Sequence, residues 1–553
     1  MNPPNLGIKS TATKLIKGDV RGVVEDVKIQ IERTVGLVGV IIISLSAMLG
    51  SGLFVLPSFA AIMMGEGIWL AFLLAASVVL PGAISKAELA SGMPSSGGSY
   101  VYLERTYGPL VGTISGLGLW ASFLLKASFA LIGFTAYMYT ITTYFDFELN
   151  TYVVSITALI LITVVNILGV KKVKAIQAPI LGVTLSLLFV IAIMALFDQS
   201  TNLSRPWDAA MGTEPWKIAE TAAFVFVAYA GVTKVAAIGG EVKNPGKNLP
   251  YGILISLLIA TFLYCTITYI MMASIPGEWW VGSDGNTIED PIYKFVETVA
   301  GPTVGLIAAI LAVLTMISMA LAGILAASRF LFAMARDSLL PQTLEELNAK
   351  YETPHWPIIL TASTMAFAII FLPVKDVAKL ASGFKIMIFI MINSCVIVLR
   401  QTSYKHDWNP EYRGPLYPLI HLWGIFAGIA LIVIMGQKAY IGAAFAVICG
   451  TILYYGYGKK HTRPRLTPFT TFTEMMLSSN DDYDRIMEAF KIADVGVQDR
   501  LTLREFQKAI EILGLDMSSK ESRVIFHQID VEKRGYIEFD DFIERFSGNL
   551  ESE

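Results

Sequence analysis

The stretch LGSGLFVLP, Leu49 to Pro57, places two glycines and a serine inside an apolar run from about Gly36 to Met63. Glycine costs about 1 kcal/mol relative to alanine within a helix, so Gly50, Ser51 and Gly52 mark a point where a helix would open. An opened helix frees backbone N–H groups at the start of its second half. With the positive end of the helix dipole, these groups hold a carboxylate. A second weak point, Ala230-Gly231, lies in FVFVAYAGVTKVAAIGGEVKNP, Phe224 to Pro245. Carbonyls freed there accept hydrogen bonds from an ammonium, so the two breaks together suit a small zwitterion. Taken alone, Gly-Ser-Gly reads as a notch for close helix approach; the second break is what favours binding.

Two lysines add titratable chemistry. Lys126 lies near the middle of an apolar run, and Lys234 follows Gly231 by three residues. A charge at mid-bilayer is costly and usually marks a polar cavity. For Lys126 the plain alternative is a side chain that snorkels or pairs with a carbonyl. Lys234 reads as a coupling group or as the partner of an acidic substrate side chain, and Lys385 is a third candidate. Nothing resembles a catalytic nucleophile with its base, and no phosphate-cradling loop is present. The reading is therefore of a protein that is not an enzyme and is not driven by ATP.

The elements that must position these groups are membrane spans. Of 553 residues, 54% are hydrophobic and only 16% charged, against about 25% charged in soluble domains. There are roughly twelve apolar runs near the ~20 residues a span needs, the first near 36–63 and the last near 438–456. The polar first ~34 residues do not read as a cleavable signal peptide. Lys and Arg concentrate in the N-terminal segment and the even-numbered connections, at Arg105, Lys171, Lys172, Lys174, Lys243, Lys247, Arg336, Lys350, Arg400, Lys405 and Arg413. Positive residues stay inside, so an even span count puts both termini in the cytoplasm of a plasma or bacterial or archaeal inner membrane. Cys265, Cys395 and Cys449 lie in apolar runs without metal or disulfide spacing.

Span 1 opens the first five runs, and span 6 opens the next five about 180 residues later. Interrupted spans at corresponding places in two halves point to a transporter's binding site. An odd number of spans per half inverts one half relative to the other, which brings the two breaks together near mid-bilayer.

Four stretches, GSGLFVLP, ISKAELASGMPSSGGSYVYLERTYGP, AYAGVTKVAAIGGEVKNP and ASRFLFAMARDSLLP, occur in an order that resembles the amino acid–polyamine–organocation transporters. The resemblance runs over roughly residues 35–457. It implies an all-α membrane protein of twelve transmembrane helices, arranged as a five-plus-five inverted repeat with two more appended. It also implies alternating-access transport of amino acids with no required cofactor and no nucleic acid partner. Carried over, Gly50, Ser51 and Gly52 match the carboxylate-binding turn, and Met48 borders the substrate. Ala228, Ala230 and Gly231 match the unwound part of span 6. The usual gating aromatic falls at Val227, so Phe226 or Tyr229 would substitute for it. The lysine that some proton-coupled relatives carry in span 5 falls at or near Thr184. A transporter-like sensor and a polyamine carrier of the same fold remain open alternatives; Lys234 argues against the second by repelling a cation.

Residues 458–480 read as a linker with a docking segment near Met475-Met476. From 481 to 553 there are 18 acidic and 10 basic residues. AFKIADVGVQDRLTLREFQKAI and VIFHQIDVEKRGYIEFDDFIERF resemble a pair of calmodulin-type EF-hands. The second loop would place Asp530, Glu532, Glu538 and Asp541 as candidate calcium ligands. It has Arg534 where an oxygen ligand belongs, and Asp541 where a longer glutamate is expected. The first loop, Asp494 to Glu505, lacks a ligand side chain at Gly496 and the turn glycine at Asp499. Calcium at the second loop is one expectation. The other is a metal-free pair that docks on the protein's own cytoplasmic face or on another protein.

Overall fold

The computed structural model describes residue 33 and residues 35–542, apart from 95–96, 148–149, 170–172, 233, 238, 283–284, 349, 352, 404–407, 463–466, 478–486, 488, 495–499, 514–516, 531–533 and 540. The first apolar run is not one helix. It divides into α1 (Leu37–Met48), the short α2 (Ser51–Phe54) and α3 (Leu56–Met64). Pro57 in the first turn of α3 suits a helix start, where its missing N–H costs nothing.

A tight turn at Gly65–Gly67 leads into α4 (Ile68–Gly92). Then come α5 (Ser99–Tyr107), α6 (Pro109–Tyr144), α7 (Thr151–Leu168), α8 (Val173–Phe197), α9 (Ser204–Gly212) and α10 (Pro215–Val225). The second half continues with α11 (Pro245–Ser274), α12 (Pro291–Ala300), α13 (Pro302–Arg336), α14 (His355–Phe371) and α15 (Val374–Gln401). Two more apolar helices follow, α16 (Leu419–Ile434) and α17 (Gln437–Leu453).

Among the described residues, eight helical segments are long and apolar enough to cross a membrane. Four further apolar helices, Leu37–Met48, Val153–Leu168, His355–Phe371 and Leu419–Ile434, are shorter. Length thus passes eight where the sequence counts roughly twelve runs. The break at Gly50 is one reason, since it cuts the first run to a 12-residue helix and leaves the remainder joined to α4.

The packing brings together elements five spans apart. The most extensive contacts join α6 to α13 and α4 to α11, and α1 lies against the segment that follows α10. The outer ends of the broken spans also meet: Val35 N–H donates to the Glu241 carbonyl (3.1 Å) and Lys243 N–H to that of Val35 (2.9 Å). One apolar core runs through these spans, and a second, separate core belongs to the tail.

Between the spans and the tail, α18 (Pro468–Leu477) packs on α5 and α15. Thr467 and Thr471 are buried there, and the Phe469 ring lies 5.1 Å from that of Tyr107. In the tail, α19 (Leu503–Ile512) and α20 (Ser519–Ile529) each begin with a capping box, Thr502 with Glu505 and Ser518 with Glu521. Strands β1 (Arg500–Thr502) and β2 (Tyr536–Glu538) pair antiparallel with Leu501 opposite Ile537, and so join the two loops.

Candidate functional site

The first break lies between Met48 and Ser51, where Gly50 N–H turns back to the Met48 carbonyl (3.0 Å). The second is a six-residue 3₁₀ segment, Phe226–Gly231, followed by shorter 3₁₀ turns at Lys234–Ala237 and Gly239–Glu241. Runs of 3₁₀ helix beyond three or four residues are uncommon and mark hinges or strain. The two breaks touch. A side chain at Gly231 would collide with the Ala47 carbonyl, and one at Gly52 would begin 2.7 Å from the Tyr264 hydroxyl and 3.0 Å from Ala228 Cα.

Backbone groups freed in hydrocarbon must find partners inside the protein, and here side chains from other spans supply them. Lys126, on α6, donates to the carbonyls of both breaks, to Ala47 at 2.9 Å and to Ala228 at 3.2 Å. Only 5% of Lys126 is exposed. Tyr264, on α11, donates its hydroxyl to the Met48 carbonyl (2.8 Å). Ser382, on α15, accepts from Val227 N–H (3.1 Å) and donates to the Phe224 carbonyl (2.9 Å). On the other side of the turn, Ser51 points its N–H and hydroxyl at the Met319 sulfur, at 3.4 and 3.6 Å. A side chain at Gly50 would strike the same thioether.

A cavity of about 40 Å³ sits at this junction, lined in part by Ala47, Lys126, Gly231, Lys234 and Met319. Its volume suits a water rather than an amino acid. Of the expected aromatics, Phe226 packs edge-on against Phe389 (5.6 Å between centroids). Tyr229 donates its hydroxyl to the Phe72 carbonyl (3.0 Å). Neither ring lines the cavity. Ala230 is buried in the same segment. Thr184 is buried in α8, where its hydroxyl has no partner among the described residues, and it does not line the cavity. Lys385 lies over the rings of Phe123 and Phe389, at 5.0 and 5.5 Å.

Sequence reasoning missed Met319, Tyr264 and Ser382. Tyr264 and Ser382 carried a signal, as polar groups within apolar spans. Met319, one of 21 methionines, carried none.

A larger cavity, about 890 Å³, lies where the ends of α6 and α12 meet the connection after α11. Asp290 accepts from the Thr140 hydroxyl there (2.6 Å). Burial, reinforced by the charge of Asp290, raises the Glu289 carboxyl to about 7. Elsewhere, Glu88 is fully buried and receives two hydrogen bonds from Arg400, at 2.7 and 2.6 Å.

In the tail, Asp530 accepts from the N–H groups of Arg534 and Gly535, both at 2.7 Å. The Arg534 guanidinium donates to Glu538 (3.1 Å) and Asp541 (2.9 Å). Glu532 lies outside the described residues. Among the described residues no group of three or more His, Cys, Asp or Glu side chains is placed to hold a metal ion.

Comparison with known protein families gives two matches. An EF-hand domain pair matches residues 483–547, and an amino acid permease domain matches residues 35–455. The chain is 29% identical to the branched-chain amino acid permease BcaP of Bacillus subtilis, over 78% of this chain and 94% of that protein. It is 26% identical to the methylthioribose transporter of the same organism, again over 78% and 94%. The serine/threonine exchanger SteT, also of Bacillus subtilis, is 25% identical over 78% of this chain and 98% of its own length. These relatives are transporters, not enzymes. The matched region contains both helix breaks and every span around them: the chain belongs to the amino acid permease family.

Proposed function

We propose that this permease is a secondary active transporter of amino acids that works by alternating access, with substrate held between the two breaks. The single observation that carries the reading is Lys126, a protein amine bonded at once to a carbonyl of each break. The place that accepts it has the chemistry to accept a substrate's ammonium. The substrate carboxylate then takes the N–H group of Ser51, now faced by the Met319 thioether, together with that of Gly52. Met48, Ala228, Ala230 and Gly231 form the backbone wall around the amine.

Lys126 is the coupling group in this reading. Substrate competes with it for the same carbonyls, so a proton gained or lost on Lys126 changes how readily the site accepts an amine. Lys234 lines the same cavity and is the second coupling candidate; Lys385 and Thr184 do not line it. Two cationic side chains beside the site favour a neutral amino acid over a polyamine. The relatives named for branched-chain amino acids and for serine and threonine fit that class. The Lys and Arg distribution supports both termini in the cytoplasm. The packing of α18 on α5 and α15 supports a tail that acts on the spans from that side.

The test is uptake of a radiolabelled amino acid panel into proteoliposomes, with and without a pH gradient. Full-length protein would be compared with a form ending near Thr473. Saturable uptake accelerated by the gradient is expected. Absent flux with clear thermal stabilisation by one amino acid would replace the transporter with a sensor.

A further inference from the structure

The described residues of the second tail loop keep the turn of a calcium loop while its ligand chemistry is altered. Gly535, at the sharp-turn position, has φ +81°, a conformation that glycine adopts without strain. Asp530 at the loop's first position fastens that turn through two backbone N–H groups. Pairing of Ile537 with Leu501 closes the loop against its neighbour.

The fifth position of such a loop ordinarily supplies an oxygen to calcium. Here it supplies Arg534, whose planar fork of N–H donors matches carboxylate geometry. One arm reaches Glu538 and the other Asp541, the ninth and twelfth positions. Asp541 is one methylene shorter than the glutamate that grips the ion from this position. The ring of Tyr536, at the seventh position, is flanked by two guanidinium groups, Arg534 at 5.3 Å and Arg500 at 5.0 Å. A divalent cation entering the loop would meet both positive charges.

We propose that Arg534 is the resident cation of this loop: its guanidinium holds Glu538 and Asp541 together in place of calcium, so the EF-hand pair stays closed in the absence of the ion.

The test is amide hydrogen exchange on the full-length protein in lipid nanodiscs, in EGTA and in about 1 mM calcium chloride, the weak end of EF-hand affinities. In the wild type, the amides of Arg534, Gly535 and Glu538 should exchange equally slowly in both. Arg534→Ala should speed them about 5-fold, as expected when local opening becomes easier. Arg534→Asp should exchange fast in EGTA and slowly in calcium. Calcium-dependent slowing of these amides in the wild type would overturn the proposal, as would an Arg534→Ala variant that exchanges like the wild type. An Arg534→Asp variant indifferent to calcium would overturn the claim that the arginine is what keeps the ion out.

Discussion

Lys126 and Arg534 occupy comparable positions in unlike settings. Each is a basic side chain bonded to oxygens of two different residues. Lys126 reaches across the fold, to partners 79 and 102 residues away in sequence, and is nearly inaccessible to solvent. Arg534 reaches four and seven residues along its own loop, and 28% of its side chain is exposed. The exposed ion pairs of Arg534 contribute about 0–1 kcal/mol. At Lys126, removing the donor leaves two buried carbonyls without it, and each orphaned group costs about 1–3 kcal/mol. The same kind of contact is therefore a local fastening in the tail and a joint between the halves of the membrane domain.

The largest effect should come from separating the breaks themselves. In Gly52→Val the new Cβ would lie 2.7 Å from the Tyr264 hydroxyl and 3.0 Å from Ala228 Cα, and that backbone cannot turn aside. Substrate uptake should fall at least ~100-fold, or ~2.7 kcal/mol, in protein that still elutes as a single species. Unchanged affinity would dissolve the assignment of this turn to substrate.

Next in size is Lys126→Met, which keeps the length and removes the donor. Its loss of thermal stability should correspond to about 2 kcal/mol or more, and uptake should no longer respond to a pH gradient. A melting temperature no lower than that of Arg534→Ala would break the contrast between the two regions.

Glu289 sharpens the comparison with a half-buried acidic group. Its carboxyl is raised to about 7 by burial and by Asp290. The folded state therefore holds a proton that the unfolded chain has released once pH exceeds the ordinary glutamate range. Stability from this group is fully present below about pH 4.5 and falls as pH rises to about 7. Melting of Glu289→Gln across that window should be flatter than wild type; an equally steep profile would assign the slope elsewhere.

The smallest effect belongs to Arg534→Ala. Uptake by the spans should be unchanged, and stability should fall by no more than about 1 kcal/mol. A loss of transport from this exposed loop would mean that the tail's closure is felt at the helix breaks.

Much of the architecture was legible in the chain because its causes are local. Apolar run length identifies the spans, and the glycines at 50, 52 and 231 mark the breaks. The arginine within the second loop was visible too, since loop positions are counted along one short segment. The span count was less secure: a broken run yields one helix shorter than a bilayer and another fused to its neighbour, and hydropathy does not distinguish the two.

Composition and spacing by themselves determined that this is a membrane protein with two interrupted spans in corresponding places and an altered calcium loop. Those properties follow from helix propensity, hydrophobic run length and turn chemistry over a few residues. Only the tertiary structure decided which side chains complete the breaks. Lys126, Tyr264, Ser382 and Met319 come from four different helices, and their meeting depends on how the spans cross. Tyr229, within the second break, turns instead to the Phe72 carbonyl. In a low-dielectric interior every freed backbone group needs a partner, but the chain states only that the need exists; the packing of distant helices chooses which residue meets it.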